Sequence, residues 1–87
     1  MIIMSSFETV MALITRLSAD SSMPNNVRFS LEKVRGLLED DEKEPAVRLD
    51  TAIQIVEGLS LDPNLPSYAR TQIWNLTSLL EAATKSP

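Results

Sequence analysis

Asp62-Pro-Asn-Leu-Pro66-Ser-Tyr68-Ala-Arg70 has the marks of a helix beginning: an acidic residue, a proline and an arginine, followed by Ile73, Leu76, Leu80 and Ala83 at helical spacing. The same order stands twice upstream, in Asp20-Ser-Ser-Met-Pro24-Asn-Asn-Val-Arg28 and in Asp41-Glu-Lys-Glu-Pro45-Ala-Val-Arg48. Pro24, Pro45 and Pro66 are spaced evenly, 21 residues apart. Proline suits the first turn of a helix because the N–H it lacks would have no intrahelical partner there, and its fixed φ is already helical. Each proline therefore reads as a start signal. A repeat of this kind reports architecture, since a single amphipathic helix must cover its apolar stripe with neighbours.

Apolar periodicity fills in the rest. Ile3, Phe7, Val10, Ile14 and Leu17 recur at intervals of three and four behind a Ser5-Ser-Phe-Glu8 capping box. Val27, Leu31, Val34 and Leu38 form the second stripe, and Leu49, Ala52, Ile53, Val56 and Leu59 the third. The spacing predicts helices over about residues 5–18, 24–39, 45–59 and 66–83, and no strand pattern competes. Gly36 weakens the second helix and Gly58 suits the end of the third. Connections of about five residues between helices of about 15 make neighbours antiparallel. The expected fold is all-α, a four-helix up-and-down bundle, with residues 1–87 forming a single domain. A solenoid of paired helices is the weaker reading, because 21 residues cannot hold a helix pair.

Composition removes whole classes of chemistry. The chain has 87 residues and neither cysteine nor histidine, which excludes thiolate and ordinary zinc sites, thiol nucleophiles and histidine general bases. No cofactor, metal site or catalytic residue is expected, and the protein reads as no enzyme. Eight basic against twelve acidic residues leave a formal charge of −4, so direct binding to nucleic acid or to an anionic membrane is not expected. No apolar run approaches the roughly 20 residues of a transmembrane helix. A cytoplasmic location follows as an expectation.

The runs Glu44-Pro-Ala-Val-Arg48, Asp50-Thr-Ala-Ile53, Asp62-Pro-Asn-Leu-Pro66 and Arg70-Thr-Gln-Ile-Trp-Asn75 resemble a small archaeal family, uncharacterised protein family 0147. The likeness covers roughly Asp20 to Glu81. It implies a compact, all-helical, four-helix domain in an archaeon, and it brings no activity or catalytic residues with it.

Several residues stand out against that background. Arg28, Arg48 and Arg70 sit about one turn into successive helices, where a planar guanidinium suits a loop carboxylate or helix-terminal carbonyls. Three arginines converging on a phosphate would need helices that start at the same end, which an antiparallel bundle forbids. Glu39-Asp-Asp-Glu-Lys-Glu44 packs five acids into six residues. It reads as a solvated loop, because it lacks the oxygen spacing and turn glycine of a calcium loop. Paired carboxylates such as Glu39 with Asp40, or Asp50 with Glu57, read as water-facing. Tyr68, Arg70 and Trp74 on the fourth helix form the candidate interaction surface, since these residue types dominate binding hot spots. The functional expectation is a non-enzymatic module that binds a protein partner or a second copy of itself. The alternative is a ribosome- or RNA-associated accessory protein that works through basic protein partners.

Overall fold

A computed structural model of the chain describes residues 6–85. Four helices account for most of them: α1 (Ser6–Ser18), α2 (Asn25–Leu38), α3 (Pro45–Ser60) and α4 (Ser67–Lys85). Ile3 and the Ser5 half of the capping box lie outside the described residues. α1 packs on α2 and α4, and α3 packs on α2 and α4, so α1/α3 and α2/α4 face each other across the diagonals. Contact between the first and last helices closes the ring. The result is an up-and-down four-helix bundle, and closure of this kind is what an open solenoid lacks.

The core is continuous, and Leu31, Val56 and Ile73 are fully buried within it. Its residues fall into pairs separated by 42 positions: Val10 with Ala52, Ile14 with Val56, Met23 with Leu65, Val27 with Ala69, Leu31 with Ile73, Val34 with Leu76 and Leu38 with Leu80. Leu17 pairs with the partly buried Leu59 in the same way. The half-buried residues obey the same rule, Met11 with Ile53, Leu13 with Ile55 and Leu37 with Leu79. The protein is thus built from two equivalent helical hairpins, α1–α2 and α3–α4. One apolar residue breaks the correspondence: Leu49 packs against the core, whereas Phe7, its counterpart, is 42% exposed.

The connections show why each helix begins where it does. Pro24 is the N-cap of α2, and its carbonyl accepts from the Val27 and Arg28 N–H groups at 3.1 Å. Pro66 stands in the same relation to α4, accepting from the Arg70 N–H at 2.9 Å. Pro45 differs. It is the first residue of α3, and the N-cap there is Glu44, whose carbonyl accepts from the Arg48 N–H at 3.0 Å. The even proline spacing therefore hides a one-residue shift. Glu44 makes no side-chain capping bond. Gly58 lies inside the last turn of α3, which ends on Leu61 in a right-handed conformation. No described residue has a positive φ, and neither glycine serves as a left-handed cap.

Candidate functional site

One connection is built three times. Asp20 Oδ1 accepts from the Ser22 N–H at 2.9 Å, Asp40 Oδ1 from the Glu42 N–H at 3.0 Å, and Asp62 Oδ1 from the Asn64 N–H at 2.9 Å. Each is an Asx turn, in which a short carboxylate caps the backbone two residues on. The backbone carbonyl of the same aspartate accepts from Met23 at 3.1 Å, from Lys43 at 3.3 Å and from Leu65 at 3.2 Å. Asp41 is therefore not the equivalent of Asp20 and Asp62. That place belongs to Asp40, and the sequence count went astray because it was taken from Pro45 instead of the N-cap.

The arginines close these turns onto the helix they follow. Arg48 Nη1 donates to the Leu38 carbonyl at 2.9 Å, and Arg70 donates from Nη1 to Ser60 O at 2.5 Å and from Nη2 to Asp62 O at 3.1 Å. A cation here satisfies carbonyls that the helix end leaves open and complements the negative end of its dipole. Arg28 instead donates from Nη2 to Asn25 Oδ1 at 2.6 Å. The Nε atoms of Arg28 and Arg48 are buried without a partner. Arg28 and Arg70 stand at one end of the bundle and Arg48 at the other, so the three do not converge.

At the end shared by the α1–α2 and α3–α4 loops, the two hairpins are tied reciprocally. The Tyr68 hydroxyl donates to Asp20 Oδ2 at 3.1 Å, and Asn26 Nδ2 donates to Asp62 Oδ2 at 3.4 Å. Each helix start thereby reaches the aspartate of the other hairpin's loop. The Ser22 hydroxyl donates to Asp20 Oδ1 at 2.6 Å and lies 2.5 Å from the Tyr68 hydroxyl. The Asp20 carboxyl is held below its usual 3.8 chiefly by the Ser22 hydroxyl and backbone N–H, which outweigh the opposing push of desolvation, with lesser help from Tyr68 and the charge of Arg28. Beneath these bonds Met23 and Leu65 are both buried.

The other end carries a single loop. Lys43 takes the place of Met23 and Leu65 but is exposed, with Nζ 3.8 Å from Asp40 Oδ2. Arg35 pairs with Glu39 at 3.5 Å. Beside Arg48 a cleft of about 330 Å³ opens between Phe7, Leu38, Asp41, Pro45 and Leu49. A separate groove runs between α1 and α4, lined by Leu13, Arg16, Gln72, Asn75 and Leu79 among others.

Of the three residues expected to form an interaction surface, two are engaged within the chain. Tyr68 ties the hairpins together and Arg70 clamps a helix end. Trp74 is 59% exposed, further out than the edge position its place beside Ile73 suggests. Its counterpart 42 positions earlier is Glu32, also exposed. Phe29, at 61% exposure, lies on α2 with the Lys33 ammonium 6.0 Å above its ring. Sequence reasoning missed Asp40, Asn26 and the cleft. A constant spacing of eight residues from aspartate to arginine, 20 to 28, 40 to 48 and 62 to 70, is the signal that marks the first of these. Among the described residues no group of three or more acids is placed to hold a metal ion.

A closed bundle made of two matched helical hairpins, each reversing direction through an Asx turn, is the class of protein that these features define. A family model described as an uncharacterised protein family (UPF0147) matches residues 3–83, and the chain belongs to that family. A relative from Methanocaldococcus jannaschii is 39% identical over 72 residues, covering 83% of this chain and 77% of its own. Another from Pyrococcus furiosus is 39% identical over 74 residues, covering 85% and 80%. The crystal structure of a family member from Thermoplasma acidophilum superposes with a TM-score of 0.87 at 31% identity, covering 90% of this chain and 92% of that one. The relatives are archaeal, and the family has no established function.

Proposed function

We propose that this protein is a non-enzymatic binding module that engages another protein, or a second copy of itself, through the flank of α4 around Trp74. The observation that carries this reading is the asymmetry between the hairpins. Where the α1–α2 hairpin presents Glu32 to water, its counterpart presents a tryptophan at 59% exposure. Large exposed aromatics on an otherwise polar surface are the usual anchors of protein contacts. A composition without histidine or cysteine supports binding over catalysis. A cytoplasmic location fits a chain in which no helix among the described residues is long and apolar enough to cross a membrane.

The test is a mass measurement in solution, with and without native extract, on the wild type and on Trp74→Glu, which copies the residue of the other hairpin. Loss of the larger species in the variant, with helicity unchanged, supports the reading. Retention of every partner by the variant overturns it. A second reading, an accessory protein of the ribosome that works through basic protein partners, draws on the acidic stretch from Glu39 to Glu44. Sedimentation with ribosomes at low but not at high salt is its test.

A further inference from the structure

We propose that the single-loop end of the bundle binds a basic segment of another protein through one inserted aliphatic side chain, in the role that Met23 and Leu65 play for the two loops at the opposite end. This surface is distinct from the Trp74 flank. The inference starts from a comparison internal to the chain. All three loops have the same Asx turn, the same N-cap carbonyl bonded to an arginine N–H, and a residue just before the N-cap. In two of them that residue is aliphatic and buried, Met23 and Leu65. In the third it is Lys43, exposed and directed to Asp40.

Beside this loop, built to the same plan but without its apolar residue, a cleft stands among the described residues. Leu38, Pro45, Leu49 and Phe7 line about 330 Å³ beside the Arg48 stem, and a second depression continues from Pro45 and Leu49 towards Ala83. The break in the 42-residue correspondence of the core, exposed Phe7 against half-buried Leu49, lies in this same cleft. Burial of an aliphatic side chain is the interaction it is shaped for.

Charge selects the segment that carries that side chain. Asp41 lines the cleft, and the loop around it holds five acids with one lysine. Three cations stand nearby and are engaged, Arg35 with Glu39, Lys43 with Asp40 and Arg48 with the Leu38 carbonyl, and the five acids of the loop outnumber them. A partner with lysine or arginine on either side of a leucine, isoleucine or methionine complements both the walls and the rim.

The test uses the full-length protein, labelled with 15N, and a synthetic peptide of one leucine flanked by three lysines on each side. Amide shifts are expected at Phe7, Asp41, Arg48 and Leu49, with binding that weakens as salt rises. The peptide with glycine for leucine is expected to bind at least about tenfold more weakly. Lys43→Leu is the decisive variant: it makes the protein more acidic, which favours the peptide, yet it supplies the missing side chain internally and should lower affinity. Equal or tighter binding by Lys43→Leu overturns the proposal, as does equal binding of the glycine peptide. No shifts, or shifts centred on Trp74 or on Gln72 and Asn75, overturn it too. Cleft resonances that move with protein concentration would assign the surface to a second copy. Binding that appears only after removal of residues 1–5 would assign it to the chain itself.

Discussion

The two ends of the bundle are made from the same loop and finished differently. At the end with two loops, each Asx turn carries a buried aliphatic residue, and each loop's aspartate receives a bond from the opposite hairpin. At the other end the turn is intact, but its lysine is exposed and paired with Asp40, and among the described residues a cleft stays open beside Arg48. The turn therefore sets the backbone path by itself. What distinguishes a sealed end from an open one is the single residue before the N-cap, together with the presence of a second loop to tie to.

Substitutions that trade the ends against each other test this contrast. The largest effect is expected at the sealed end, where Leu65→Ala removes a buried anchor and costs about 2–4 kcal/mol. Lys43→Ala, at the corresponding place in the open end, should stay within about 0.5 kcal/mol of wild type. Urea titration of both checks the pair, and similar losses would mean that the two ends are not energetically different. Next come the arginines. Arg70→Ala breaks two charge-assisted bonds to carbonyls and is expected to cost about 2–3 kcal/mol, against about 1–2 kcal/mol for Arg48→Ala, which breaks one. An equal shift in urea midpoint would show that the second bond of Arg70 adds nothing.

Smaller again is the contribution of polar groups at the sealed end. Asp20 has a lowered folded pKa, so the stability it contributes is present above its unfolded value and is lost as pH falls through the folded one, which lies below 3.8. Tyr68→Phe removes one cause of that lowering. The variant should show a smaller drop in urea midpoint than either arginine variant at neutral pH, and a flatter loss of stability below about pH 4. An unchanged acid limb would mean that Tyr68 does not bear on Asp20 in solution. The last pair lies in the final turns of α2 and α3 and has the opposite sign. Neither Gly36 nor Gly58 has a positive φ, and a Cβ at either meets nothing within 4 Å. Replacing each with alanine is expected to raise stability by about 0.5–1 kcal/mol, read as a higher thermal midpoint.

The bundle was legible from the sequence because each helix carries a stripe whose period of three and four survives every local irregularity. Val27, Leu31, Val34 and Leu38 can be read as one face with no knowledge of what covers them, and all four are buried. The loops were less transparent. Proline is a strong signal of a helix start but a poor ruler, since it fits both the N-cap and the first helical position. Counting from it put Asp41 where Asp40 belongs. The roles of Tyr68 and Asn26 depend on contacts to residues 48 and 36 positions away, which no local pattern encodes. The cleft was hidden for a different reason. Phe7, Leu38 and Leu49, which line it, come from three different helices, and only the fold brings them to one place.

The 42-residue correspondence also has a consequence for how the chain could be rewired. The α2–α3 loop is the sole covalent link between two equivalent hairpins, and α1 begins and α4 ends on the same side as that loop. Joining the ends of the chain and cutting it near Asp41 would exchange the order of the hairpins without moving a core residue. Sequence order is in this sense a secondary property of the molecule, and its geometry is compatible with either half being made first.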